Sequence, residues 1–308
     1  MRFAVAATAL VAGLAGSTAA VPPKIAGCPV FPASNPWNTP VDTLPVAADS
    51  TRLIASIGVG AGVHADFGSG LYDGSRIGIP YVTVHAKSTP KSRVSFDYAS
   101  ESDKGPYPIP ANVPIEGAPA HANEGDRHVL IVDRDACKLY ELSGLHRTAG
   151  HWAGWSGAIW NLRSNAVRPA GWTSADAAGL PILPGLARWD GDASTGRINH
   201  ALRFTAERTR RAYIYPARHY ASSATDPSLP PMGLRVRLKA SVNISGLPPQ
   251  ARMVAQAMKT YGLILADNGS NWHVTGAPSP HWSNDQLHAL GGLTGADFEV
   301  VDTSKLRP

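Results

Sequence analysis

Apolar and polar residues alternate most cleanly at Leu234 to Ala240, where Leu234, Val236, Leu238 and Ala240 are separated by Arg235, Arg237 and Lys239. A period of two marks a strand with one buried face. Strands are predicted in the same way at Asn199 to Ala206 and Ala212 to Ala217, and short connections make the three neighbours in one antiparallel sheet. Parity turns Leu202 and Phe204 inward together with His200. It leaves Asn199, Arg203 and Thr205, with Tyr213, Tyr215, Arg235 and Arg237, on a second and cationic face. Upstream, Ile79 to Ala86 and Arg93 to Tyr98 are strands, and His128 to Asp133 with Lys138 to Leu142 form a hairpin. In its tightest register His128 lies diagonal to Glu141 on one face. A slip of one residue separates them; the favoured alternative is a surface histidine at a strand entrance.

Apolar residues fall at helical spacing twice. Met253, Val254, Ala257, Met258 and Tyr261 form one stripe over Gln250 to Tyr261, with Gly262 as C-cap. Leu53, Ile54 and Ile57 share a face over Arg52 to Ile57, after Asp49 and Ser50 as caps and before Gly58. Leu263 to Ala266 is a buried strand running into a turn at Asp267 to Ser270. A short helix near Asp285 to Leu290 and a strand at Phe298 to Asp302 end the chain.

Between Ala158 to Leu162 and Ala201 to Thr205 neither period holds. The wider stretch from His151 to Thr205 contains five of the eight tryptophans, and long irregular segments inside a domain are usually functional or disordered. Its Trp and Leu content argues against disorder, so it is expected to pack over a cleft. With 30 Gly, 26 Pro and 17% charged residues, the chain suits short strands and tight turns. The expected fold is mainly β: a single antiparallel β-sandwich or jelly-roll-like domain over residues 21–308, with one or two short helices packed on it. Residues 21–50 form an extended Pro-rich segment. The NPWN motif (Asn35 to Asn38), the alternating strands and the INHALRF segment (Ile198 to Phe204) resemble secreted microbial proteins of β-sandwich type, which implies that fold and no residue roles.

Residues 1–20 have the form of a secretory signal peptide: Arg2, an apolar run from Phe3 to Ala15, then small residues up to Ala20. The run is too short and too Ala-rich to anchor in a membrane, so no membrane contact is expected after cleavage. Export agrees with the two cysteines, Cys28 and Cys137, expected to form one disulfide. That bond would exclude a cysteine nucleophile. A net charge of +5 without basic runs argues against nucleic acid and for attraction to an acidic polymer outside the cell; the expected partner is a polysaccharide or cell-wall glycan, met outside the cell or in the periplasm, and the chain is expected to be a monomer.

No cofactor or metal is indicated, because the eleven histidines show no ligand spacing. Gly154 to Ala158 falls one glycine short of G-x-S-x-G. Glycoside hydrolysis needs two carboxyl groups about 5 to 9.5 Å apart, for which Asp176, Asp190, Asp192, Glu141 and Asp267 are the supply. Asp176 is the first choice, since Trp172, Leu180, Ile182 and Leu183 would desolvate it and raise its pKa; as a plain turn cap it would do nothing chemical. Asp190 is its expected partner. Elimination from a uronate polymer would instead use Arg203 or Arg218, with His200 or His219 and the tyrosines moving protons. The substrate would rest on Trp155, Trp172, Asn199, Arg203, Tyr213, Arg235 and Arg237. The chain is therefore expected to be an exported carbohydrate-active enzyme, a glycoside hydrolase or polysaccharide lyase. A non-catalytic glycan-binding or wall-associated protein is the alternative, and a peptidase or esterase a further one.

Overall fold

Two mixed sheets carry most of the apolar surface in the computed structural model, which describes residues 22–121 and 123–306. The signal peptide expected at residues 1–20 lies outside them. Strand exceeds helix, 27% to 14%, so the fold is β-rich, and no sheet closes on itself. Among the described residues no helix is long and apolar enough to cross a membrane.

The smaller of the two sheets runs in the order Ser156–Asn161, Lys138–Ser143, Val129–Asp133, Tyr81–Val84. The hairpin has the tight register, with Leu130 opposite Glu141, which places His128 diagonal to Glu141. Alternation divides its central strand between two cores. Leu130 and Val132 join the main one, while Val129 and Ile131 pack with Tyr107, Ile109 and Leu142 in a second.

The larger sheet runs Phe298–Val300, Arg235–Leu238, Leu263–Asn268, Leu202–Ala206, His273–Thr275, His64–Asp66. Leu202–Ala206 is parallel to Leu263–Asn268, and His273–Thr275 to His64–Asp66, while Tyr81–Val84 is parallel to Val129–Asp133 in the other sheet. The expected all-antiparallel pairing is thus corrected. The chain from Ala206 back to Leu263 passes through the Arg235–Leu238 strand and the Pro249–Thr260 helix, a crossover long enough for a parallel return. Ala212 to Ala217 is not a strand: only Tyr213 bridges, to Met232.

All three predicted helices form, the short one as Asn284–His288. Ser50–Ile57 buries Leu53, Ile54 and Ile57 and ends at Gly58. Pro249–Thr260 buries Val254, Ala257 and Met258, and Gly262, at φ 70°, closes it by donating to Ala257 O. Cys28 and Cys137 are bonded, Cα atoms 5.4 Å apart, tying the N-terminal segment to the turn of the hairpin.

The expected cationic face does not exist as a surface. Arg235 is 2% exposed and donates to Tyr261 O and Pro36 O, the latter at 2.9 Å. Arg237 donates to Val41 O, Leu44 O and the Glu299 carboxylate. Prolines deny residues 32–45 a regular ladder, so their carbonyls need other donors. The two guanidinium groups meet that need, and the N-terminal segment seals this end of the sheet.

The segment between Asn161 and Leu202 is irregular as expected, but it is a wedge in the core and not a cover. Leu180, Ile182, Leu183, Leu186 and Ala187 are all buried. Glu141, itself fully buried, receives it: Ile182 N and Leu183 N donate to Oε1 at 2.9 Å and Trp160 Nε1 to Oε2 at 3.1 Å. Burial pushes this carboxyl up to about 7 against those three donors.

Candidate functional site

Arg203 is the pivot of the site. It leaves its strand on the side away from Leu202 and Phe204, as parity predicts, but the wedge covers that side too. Gly185 stands so near that a Cβ there would lie 3.0 Å from Arg203 Cβ and 2.6 Å from the Trp37 ring. The guanidinium is 4% exposed. Nη1 donates to Thr275 Oγ1 at 2.8 Å and Nη2 to Asp176 Oδ1 at 2.9 Å. Asp267 Oδ2 lies 3.8 Å from the same Nη2. The two carboxylate oxygens are therefore no farther apart than the sum of those distances, short of the upper end of the span of about 5 to 9.5 Å used by glycosidases.

Asp267 reaches this position because its strand does not end at Ala266. The strand runs on to Asn268, and a register shift opposite Phe204 and Thr205 places Asp267 across from Thr205. A bulge of this kind re-aims a side chain. Asp176 sits in a bend and not a helix, its N–H held by Ser174 Oγ. It is wholly buried, and its Oδ2 has no hydrogen-bond partner among the described residues.

His128 supports the same corner from the hairpin. Its Nδ1 faces the Glu116 carboxylate at 2.5 Å and its Nε2 the carbonyl of Ala175 at 2.9 Å. Both partners accept, so both ring nitrogens carry protons and the ring is an imidazolium. Burial alone would lower its pKa, but Glu116 overrides burial and lifts it to about 9. Burial also pushes Asp176 up, opposed by Arg203. Burial and the neighbouring Asp176 charge push Asp267 up to about 7. Such a pair releases its protons in separate steps.

The cluster opens on a cleft of about 360 Å³ walled by Trp155, Thr173, Asp176, His219, Tyr220 and Asp267. Trp155 is 40% exposed and lies against Gly144, which adopts φ 62° and whose Cβ, if present, would fall 2.6 Å from the indole. His219 donates from Nδ1 to Ala177 O at 2.8 Å, which leaves Nε2 free of that bond. Tyr220 stacks on His219 and on Tyr213, centroids 5.5 and 6.4 Å away.

Of the expected site residues, the structure brings Asp176, Arg203 and Trp155 together. Tyr213 stands behind Tyr220, and Trp172 lies next to the cleft-lining Thr173, with the Arg168 guanidinium 5.4 Å over its ring. Asp190 belongs elsewhere: it borders a separate depression with Trp189 and His281, its carboxylate 3.5 Å from Tyr81 OH. His200 is fully buried, its Nε2 3.1 Å from both Arg188 Nη2 and Asp192 Oδ2, and unlike the equally buried Asp176 it does not line the cleft. Asn199 is half-buried and does not line the cleft. Arg235 and Arg237 are structural, as described above. Glu116 and Tyr220 carried no signal in the sequence. Ser156 borders the cleft, but its hydroxyl is engaged by Ser143 and Ser174 O and bonds no histidine among the described residues. Comparison with protein-family models, with curated proteins and with solved structures returns no significant match.

Proposed function

We propose that the protein is an exported glycoside hydrolase acting on a neutral polysaccharide, with Asp267 and Asp176 as its carboxyl pair. The observation that carries this reading is the approach of both carboxyl groups to one guanidinium nitrogen at the edge of one cleft. Between its two ionisations the pair holds a single proton. Arg203 is nearer to Asp176 and favours charge there, so the proton resides on Asp267, the more open of the two at 23% side-chain exposure. Asp267 then donates to the glycosidic oxygen, and ionised Asp176 is the opposing carboxylate. Trp155 and Tyr220 offer faces on which a sugar ring can lie.

Neutral substrate is favoured over uronate because the cleft also carries Glu101 and Asp126, while Arg203 is buried and bound to Asp176. Among the described residues no guanidinium lines the cleft to receive a substrate carboxylate, which weighs against elimination. Export is supported by the disulfide. The test is incubation of the mature protein with neutral and acidic polysaccharides, following reducing ends and the absorbance of unsaturated products together. Reducing ends from a neutral glycan, lost in Asp267→Asn, are expected. Unsaturated products would identify a lyase, binding without cleavage a glycan-binding protein, and either would overturn the assignment.

A further inference from the structure

At the edge of the larger sheet three side chains of metal-ligand type converge away from the cleft. His64–Asp66 is the outermost strand and pairs in parallel with His273–Thr275, with His273 in register with His64 and Thr275 with Asp66. Side chains two apart on a strand share a face, so Asp66 joins both imidazoles on one side. The rings lie 4.3 Å apart between centroids at 30°. A nitrogen of each ring and a carboxylate oxygen of Asp66 all lie within 4.8 Å of one another.

We propose that His64, Asp66 and His273 bind a divalent ion of the zinc class. Imidazole and carboxylate suit zinc, nickel or copper, whereas calcium and magnesium prefer sites built of oxygen alone. With bonds of about 2.0 to 2.2 Å an ion would hold its donors roughly 3 to 4 Å apart. Rotation of the exposed rings reaches that spacing from the present one. A second observation supports a ligand here. None of the three side chains makes a hydrogen bond to another described residue, and Asp66 forms no ion pair with either neighbouring imidazole, unlike Asp135 with His85 at 2.7 Å or Asp73 with His121 at 3.1 Å. His64 and Asp66 are exposed and His273 is half-buried, so an ion can enter and would keep positions open to water or a further ligand. The site is independent of the carboxyl pair, since none of its residues lines the cleft.

The test is titration of untagged, chelator-treated full chain with Zn2+ by calorimetry, in parallel with thermal melts and with Co2+ absorption spectra. One zinc ion per chain is expected, with a higher melting temperature in zinc and visible Co2+ bands. Mg2+ should produce neither effect. His64→Gln with His273→Gln should weaken zinc binding by about 100-fold or more and abolish the thermal shift, while melting near the parent without metal because neither imidazole makes a hydrogen bond to another described residue. Absence of saturable binding, or equal affinity in the double variant, would overturn the proposal.

Discussion

Arg203 Nη2 and Asp176 Oδ1 are 2.9 Å apart with the two side chains 4% and 0% exposed, so the site is built on an ion pair almost shut off from water. A buried pair adds little stability over apolar packing, but removing one partner strands the other charge. Asp176→Ala is therefore expected to cost about 3 to 5 kcal/mol, which chemical denaturation would measure. Asp176→Asn keeps an acceptor for Arg203 and should cost less. Loss of activity in either variant reports folding as well as chemistry.

Asp267→Asn separates the two. Asp267 is partly open and stands farther from Arg203, so the variant should melt within a few degrees of the parent. Its rate on the polysaccharide should fall by about 10² to 10⁴. The parent's kcat/KM should decline as pH rises past about 7, where the proton on Asp267 is lost. A flat profile across that region would remove Asp267 as the acid.

Stability should fall on the alkaline side for a related reason. Glu141 and Asp267 are raised to about 7 and His128 to about 9. A folded-state pKa above the unfolded one contributes stability that is full below the unfolded value and disappears as pH rises through the folded value. The expected result is a melting temperature that declines from pH 5 to pH 8 through Glu141 and Asp267, then again toward pH 9 through His128. Glu116 acts in the opposite sense. Burial works to raise it, but His128 holds it below its usual range, so its contribution is lost as the solution becomes strongly acid. Melts at unit pH intervals would show both limbs.

Arg235→Gln tests the sealed face. The sequence pattern suggested a loss of glycan binding; the structure predicts a loss of stability instead. Carbonyls of Pro36, Thr39 and Tyr261 would lose their donor, at about 1 to 3 kcal/mol for each buried group left unpaired. A fall in melting temperature of roughly 5 to 10 °C is expected, with the glycan affinity of the folded fraction unchanged.

Paired replacement of Cys28 and Cys137 by serine opens a loop with a sequence separation of 109. Loop-closure entropy puts the loss near 4 to 5 kcal/mol, which denaturant titration would detect against the oxidised parent.

What was legible in the chain was local. Helical spacing placed Leu53, Ile54 and Ile57 on a buried face and parity put Arg203 opposite Phe204; for His128 the tightest register was one of two readings, and the surface position favoured over it is overturned by its burial. The apolar neighbours of Asp176 announced its desolvation. What escaped was anything that depended on the covering layer. An arginine on the second face of a strand looks the same in sequence whether water or another segment lies over it, and for Arg203, Arg235 and Arg237 it was another segment. Asp267 resembled a turn residue because Asp-Asn-Gly-Ser is turn chemistry, yet a bulge kept it in the strand and turned it toward Arg203. Asp190 was the expected partner of Asp176, and the wedge carries the two to different surfaces.

The N-terminal segment is tethered at Cys28 and held along its length by carbonyls bonded to Arg235 and Arg237. Its attachment is a latch, and a latch can open while the rest of the molecule stays shut. In a reducing environment the bolt at Cys28 is withdrawn, and detachment then requires Val30, Phe31, Trp37 and Val41 to leave the core, an opening still smaller than global unfolding. Proteases that cut extended chain would then find residues 28–45 first. The survival time of the protein outside an oxidising compartment would be governed by how often this latch lifts, and not by how firmly the two sheets hold together.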